Sequence, residues 1–174
     1  MAKEETPQAV YLFHILLLKI SPAIWRRVLV PSDQSLADFH HTLQIVMGWD
    51  DTHLHRFLIH GKAYGMSRDG GLCFSDNPKQ TRLNTLHLRI KERFLYEYDF
   101  YAFWQHQIRL ERTLPFAPTQ TYPVCISGAR QAPPQWCNGA LAYLEQKQYW
   151  PIRPANTLYN VKPQKQGATV KTSR

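Results

Sequence analysis

PSDQSLADFHHTLQIVMGWDD, residues 31–51, contains the clearest helix signal in the chain and sets the fold class of the segments around it. Ser35, with Asp38 three residues later, resembles a capping box, which satisfies backbone N–H groups at the start of a helix. Gly48 supplies the residue type that most often ends one. Between these points the apolar side chains recur at helical spacing, at Leu36, Phe39, Leu43, Val46 and Met47. We therefore predict one amphipathic helix here.

Strand patterns lie on both sides of this helix. Residues 10–20 and 24–30 are apolar runs separated by Ser-Pro-Ala, which predicts a hairpin or two adjacent strands. Residues 53–59 alternate after the helix, so His53 and His55 are predicted on one face of a strand. Residues 94–100 and 104–111 also alternate and predict a second hairpin, although its three-residue connection contains no Gly, Asn or Asp.

The remaining segments are predicted as connections and one further helix. Residues 62–65 are predicted to start a connection that continues through residues 66–81, which are rich in Gly, Asp, Asn and Pro. Residues 115–136 hold five prolines and are also predicted as irregular. Residues 139–150 predict a final helix. This order of elements predicts an α+β domain, with a mixed or antiparallel sheet and helices packed on it, over residues 9–150.

The positive charge is concentrated after the predicted domain. From Pro151 onward the chain carries five basic residues and no acidic one, which leaves 16 basic against 13 acidic residues before it. Residues 151–174 are therefore predicted to be a basic, disordered tail. Two alternatives stay open: a solvated extension, or a weak nucleic-acid contact in which the basic residues are Lys162, Lys165 and Lys171.

Membrane insertion is not expected. The longest apolar run, residues 10–20, is interrupted by His14 and Lys19 and is shorter than the roughly 18 to 20 residues needed to span a bilayer. It also lacks the basic start and the cleavage site of a signal peptide. We expect a cytoplasmic protein.

Three motifs together resemble a known family. IWRR (24–27), GWDDTHLHRF (48–57) and YEYDF (96–100) are similar to the plasmid pRi ORF-three-like proteins, which also occur as passengers of insertion elements. The likeness covers about residues 9–150. It implies an α+β domain with a β-grasp-like arrangement and a repeated β/α unit. A resolvase-like label attached to some members follows from their neighbourhood in mobile elements and not from their chemistry.

This chain departs from the family pattern at acidic positions. Tyr101 and Ala102 stand where the family has Gly-Asp, and Gln135 and Trp136 replace an acidic pair. Asn138 replaces the first of two glycines. If the missing acids hold a metal or transfer protons in the family, this member is expected to have lost that function.

The sequence offers one candidate metal site. His53 and His55 are predicted to share a strand face, and His106 on another strand would supply a third imidazole, a set that suits zinc or a similar ion when a carboxylate joins it. The competing interpretation is that these histidines are core-margin side chains bonded to the backbone. The candidate functional cluster comprises Asp50, Asp51, His53, His55, Asp99 and His106. No other cofactor and no catalytic residue is predicted.

A binding role is the remaining class of function. Arg26 and Arg27 follow Trp25 and fall on opposite faces of a strand, so at least one of them is predicted to lie over the sheet, to pair with Glu97 or Asp99, or to reach a ligand. An aromatic-rich sheet face can stack bases or hold a peptide strand. The sequence thus favours a nonenzymatic accessory or binding protein with an unknown protein or nucleic-acid partner. The alternative is a metal-dependent enzyme whose His/Asp site is degenerate in this member.

Overall fold

A single antiparallel sheet with two helices forms the domain. The computed structural model describes residues 8–65 and 77–147. Its elements are β1 (Ala9–Leu17), β2 (Ile24–Pro31), α1 (Leu36–Met47), β3 (His55–Ile59), β4 (Lys62–Gly65), a 3-10 turn (Leu83–Leu86), β5 (Arg93–Tyr98), β6 (Trp104–Pro115), β7 (Val124–Ala129) and α2 (Gly139–Gln146). The seven described strands pair in the order β4-β3-β5-β6-β1-β2-β7, and each pairing is antiparallel. The α+β class is confirmed, with few helical residues.

The predicted helix α1 forms with both of its expected caps. The Asp38 amide donates to Ser35 Oγ at 3.1 Å, and the Ser35 hydroxyl donates to the Asp38 carboxylate at 2.7 Å. Gly48 takes a left-handed φ of 73°, which a glycine adopts without a Cβ penalty. The helix therefore stops where the chain must turn back toward the sheet.

The core lies between α1 and the sheet. Phe39 of α1 meets Phe13 of β1 and Phe57 of β3, with ring centroids 5.1 and 5.9 Å apart. All three side chains are fully buried, as is Trp104 at the start of β6. These contacts join strands that lie far apart in sequence, so α1 holds the middle of the sheet together.

The structure corrects the sequence prediction at three strands. Residues 124–129, predicted as part of an irregular connection, form edge strand β7 against β2, and residues 62–65, also predicted as a connection, form edge strand β4. Pro123 directly precedes β7, where its missing N–H costs no ladder bond. Strand β3 begins at His55, so His53 lies before the strand and not on it.

The hairpin between β5 and β6 forms without glycine. Asp99 and Phe103 take left-handed φ values of 55° and 56°. The Asp99 carboxylate accepts from the amides of Tyr101 at 3.1 Å and Ala102 at 3.3 Å, which makes an Asx-type turn. A glycine would take these φ values without strain. Here the hydrogen bonds to the Asp99 carboxylate offset part of the strain.

The end of the chain is described in part. Helix α2 confirms the predicted final helix through Gln146, while residues 148–150 of that prediction and the predicted tail 151–174 lie outside the described residues. Neither described helix is long and apolar enough to cross a membrane.

We expect Gly139→Ala to destabilise the fold more than Gly61→Ala. Both glycines have positive φ, 92° and 75°, so each alanine costs about 1–2 kcal/mol of backbone strain. A Cβ at 139 would also lie 2.6 Å from the Ala102 carbonyl oxygen, whereas one at 61 meets nothing within 4 Å. Overpacking adds about 1–3 kcal/mol at 139. Urea unfolding of both variants measures the difference, and equal destabilisation would contradict the close approach of α2 to the β5–β6 turn.

Candidate functional site

The turn after α1 is attached to the sheet and to a proline-rich loop by Trp49. Its indole stacks on Tyr98 with ring centroids 5.2 Å apart and an angle of 17° between the planes. The indole N–H donates to the Pro133 carbonyl at 2.9 Å. Trp49 is 7% exposed, so this bond is made inside the protein. One side chain thus sets the position of both Asp50 and Asp51 and of the loop facing them.

Beside this turn, a closed ring of four hydrogen bonds joins α1, the turn and β5. His40 Nδ1 lies 2.8 Å from Tyr96 Oη, and His40 Nε2 lies 2.6 Å from Asp51 Oδ1. The Gln44 amide nitrogen donates to Tyr96 Oη at 2.9 Å, and Gln44 Oε1 accepts from the Asp51 backbone N–H at 3.0 Å. We call these residues, His40, Gln44, Asp51 and Tyr96, the polar ring.

Only one arrangement of protons satisfies every member of the polar ring. An ionised Asp51 carboxylate can only accept, so His40 carries its proton on Nε2. His40 Nδ1 is then an acceptor for the Tyr96 hydroxyl, whose oxygen accepts from Gln44. Burial lowers the pKa of His40 and so favours the neutral imidazole. The hydrogen bond to Asp51 acts in the opposite direction and is the smaller effect. Burial also raises the pKa of Tyr96 well above 10, so its phenol keeps its proton.

His55 is stacked under the polar ring and is unavailable to a ligand. Its imidazole lies parallel to that of His40, with centroids 3.4 Å apart and 7° between the planes. Burial, and after it the neighbouring His40 and His41, lowers the pKa of His55 to about 3. His55 Nε2 is buried and has no hydrogen-bond partner among the described residues. His55 is therefore a neutral imidazole that stacks in the core.

His106 is a core side chain in a different setting. It is fully buried on β6, 5.4 Å from the Trp49 ring and 5.2 Å from the Tyr96 ring. Its Nδ1 lies 3.3 Å from the Tyr96 carbonyl oxygen. Burial lowers its pKa to about 4. The interpretation as an imidazole bonded to the backbone therefore describes His106 better than that of a metal ligand.

The structure does not bring the predicted three-histidine metal site together. His53 lies outside β3, is 45% exposed, and its Nε2 is 3.7 Å from Asp99 Oδ2. Within residues 8–65 and 77–147, the set of His, Cys, Asp and Glu that could share an ion is His40, His41 and Asp51 instead. The predicted set fails because β3 begins two residues late and His106 points into the core.

Asp50 lies at the rim of an open cleft. Its carboxylate accepts from the Gln135 side-chain amide and from the Thr52 hydroxyl, and its backbone N–H donates to Gln135 Oε1 at 2.7 Å. The hydrogen bond from Gln135 holds the pKa of Asp50 below its usual range. An ionised Glu at 135 could not donate this bond, so the replacement of the family's acid fits a direct link between the turn and the loop.

The cleft has a volume of about 390 Å³ and is bounded by the end of α1 and residues 131–136. Trp136 at its edge is 72% exposed. Arg26 lines the cleft but is 3% exposed, and its guanidinium donates to the carbonyls of Val46, Trp25 and Ala129. Its structural role is to fasten the end of α1 to β2 and β7.

The two predicted ligand-contacting arginines are both engaged within the protein. Arg26 is 3% exposed, and its predicted contact with a ligand stays a prediction. Arg27 forms a bidentate pair with Glu111, with N–O distances of 2.7 and 3.3 Å, and lies over the Trp25 ring. These hydrogen bonds, chiefly that from Arg27, lower the pKa of Glu111 to about 2. The predicted contacts Lys162, Lys165 and Lys171 lie outside the described residues.

Sequence reasoning missed most of the polar ring. Of its four residues, only Asp51 is among the candidates predicted from the sequence; His40, Gln44 and Tyr96 are not. The available signal is the spacing of His40 and Gln44, four residues apart on the buried face of a helix. Two polar side chains on such a face require partners inside the core.

We expect the unfolding free energy to fall as the pH is lowered from 6.5 to 5, and less steeply in His106→Leu. In this range the unfolded chain protonates at position 106, near the ordinary pKa of 6.5, while the folded protein, with a pKa of about 4, stays neutral. Each such histidine contributes a slope approaching 1.4 kcal/mol per pH unit below 6.5. Urea unfolding at several pH values measures the slope of the unfolding free energy against pH.

Ile108→Val on the same strand is the control for this slope. It removes core volume but no titrating group, so it should lower stability and keep the wild-type slope. A His106→Leu slope equal to that of wild type would show that His106 is protonated in the folded protein.

Comparisons with known proteins agree with the architecture. The chain is 31% identical over 130 residues to the uncharacterized protein y4hQ of Sinorhizobium fredii, covering 72% of this chain and 65% of that protein's length. A crystal structure of a protein of unknown function, MM3350 from Methanosarcina mazei Go1, superposes with a TM-score of 0.74 at 34% identity, covering 83% of this chain and 82% of the other. Residues 9–159 match the family described as plasmid pRiA4b ORF-3-like protein, and the chain belongs to that family.

Proposed function

We propose that this chain is a nonenzymatic binding protein, an accessory of plasmids or transposable elements, that acts in the cytoplasm. Its binding site is the cleft between the end of α1 and residues 131–136. The observation that carries this proposal is the contrast between the two polar regions. His40 and Asp51 hydrogen-bond to each other, whereas the cleft is open and has an exposed indole, Trp136, at its edge.

The size and lining of the cleft fit a side chain presented by another protein. About 390 Å³ is near the lower end of the range for small-ligand sites. Amide groups of Gln131 and Gln135 and the rings of Pro133 and Pro134 line it together with Trp136. Such a mixture of an aromatic anchor and a few polar groups is typical of protein recognition.

The charges near the opening favour a basic group. Asp50 supplies a carboxylate with a lowered pKa, and the end of α1 contributes the negative pole of the helix. Arg26, which also lines the cleft, is buried, and its guanidinium donates to carbonyls at the end of α1 and on the neighbouring strands. The Trp136 side chain is 72% exposed at the edge of the cleft, where a cation can approach its indole. We therefore propose a lysine or arginine side chain of a partner protein as the occupant.

The other functions inferred from sequence have less support. The sheet arginines do not favour a nucleic-acid site, because Arg26 is buried and Arg27 is paired with Glu111. Nucleic-acid binding through residues 151–174 remains a proposal that rests on their charge alone. A metal-dependent enzyme using His53, His55 and His106 has less support, since among the described residues these three are not a group whose ligand atoms lie within 4.8 Å of one another.

We also retain the β-grasp-like arrangement with a repeated β/α unit as a proposal. It is supported by the hairpin β1–β2 followed directly by α1. The strand β3 then starts the second half of the sheet.

Titration with the tripeptide Ac-Ala-Arg-Ala-NH2 tests the cleft. We expect saturable chemical-shift changes at the Trp136 indole and the amides of Gly48 and Asp50 in ¹H–¹⁵N spectra. Trp136→Ala and Asp50→Asn should each weaken binding about 2- to 5-fold, the size of a surface cation–π or ion-pair contact.

Tyr101→Ala is the matched control, because Tyr101 is an 86% exposed aromatic residue that does not line the cleft. It should bind the arginine peptide as wild type does. Equal shifts with Ac-Ala-Glu-Ala-NH2, or no shifts at the cleft with the arginine peptide, would contradict the proposal.

A further inference from the structure

Three side chains that can ligate an ion meet at the surface end of the polar ring, and none of the three lines the cleft. Asp51 Oδ1 lies 2.6 Å from His40 Nε2, and Asp51 Oδ2 lies 3.6 Å from His41 Nδ1. One ligand atom from each residue lies within 4.8 Å of the others. We propose that His40, His41 and Asp51 form a binding site for a divalent cation of zinc type.

The donor set and its spacing fit such an ion. Two imidazoles and one carboxylate are the protein ligands of many zinc sites that keep a position for water. Metal–ligand bonds of about 2.1 Å in a tetrahedron place ligand atoms about 3.4 Å apart. The three ligand atoms lie within 4.8 Å of one another, so side-chain rotations that draw them together by about 1 Å bring the three groups to one ion.

The surroundings of His40 are those of a metal ligand held by a second layer of contacts. Its other ring nitrogen, Nδ1, lies 2.8 Å from Tyr96 Oη, and Gln44 fixes that hydroxyl. Such partners orient a ligating imidazole and select which nitrogen faces the metal. Burial lowers the pKa of His40, and a neutral imidazole is the form that binds a cation.

The other two ligands make the site reachable from solvent. The side chains of His41 and Asp51 are 61% and 36% exposed, while that of His40 is 3% exposed. An ion held here has one inner ligand and two outer ones, which leaves its remaining positions to water or to a group from a partner. The site is therefore open to solvent, unlike a structural zinc site in which the protein supplies all four ligands.

Metal binding and the closed polar ring are alternatives at His40. To coordinate, His40 must carry its proton on Nδ1 instead of Nε2, and the Tyr96 hydroxyl must turn its proton away from Nδ1. The ion replaces the His40–Asp51 hydrogen bond with two coordination bonds. We therefore expect weaker binding than at a dedicated structural zinc site.

Calorimetric titration of the tag-free, full-length chain with ZnCl₂ at pH 7 tests the site. We expect one ion per chain, and at least about tenfold weaker binding in His41→Ala and in Asp51→Asn. His41→Ala is the decisive variant because its exposed side chain leaves the polar ring intact, which circular dichroism verifies. Visible absorption of the Co²⁺-loaded protein provides a second readout, and its bands should change in His41→Ala.

His60→Ala is the matched control. His60 is a half-exposed histidine beside an acid, Glu92, at another part of the surface. It should bind zinc as wild type does. Absence of stoichiometric binding, unchanged affinity in both ligand variants, or an equal loss in His60→Ala would each overturn the proposal. None of these outcomes bears on the peptide titration of the cleft.

Discussion

The closed ring of hydrogen bonds through His40, Asp51, Tyr96 and Gln44 is the constraint on which the rest of the site depends. A neutral His40 hydrogen-bonds to both Asp51 and Tyr96. Gln44 donates to the Tyr96 hydroxyl and accepts from the Asp51 backbone N–H. Because His40, Gln44 and Tyr96 are buried, an unpaired polar group on one of them would cost about 1–3 kcal/mol. The ring therefore fixes α1 on β5 and holds the turn that carries both aspartates.

Two surfaces of different chemistry follow from this arrangement. Asp51 turns toward the histidines of α1, while Asp50 turns toward Gln135 and the cleft. Trp49, which precedes both aspartates, packs on the sheet and donates a hydrogen bond to the loop at Pro133. Adjacent acids thus serve separate sites: a rim position suited to a divalent cation, and an opening suited to a basic side chain.

Local patterns could be predicted from the sequence, and long-range pairing could not. The capped helix α1 and both hairpins follow from spacing, cap residues and alternation, and the structure confirms them. The edge strands β4 and β7 were missed because they are short and are defined by their pairing partners. His55 and His106 have the residue type of ligands, but their depth in the core depends on how α1 covers the sheet.

The tautomer of His40 tests this account most directly. Two-bond ¹H–¹⁵N correlation spectra of the ¹⁵N-labelled, metal-free protein at pH 7 report which ring nitrogen carries the proton. The account predicts a neutral His40 protonated at Nε2, with Nδ1 free to accept from Tyr96. A proton on Nδ1 of a neutral ring, or a cationic imidazolium, would contradict the closed polar ring.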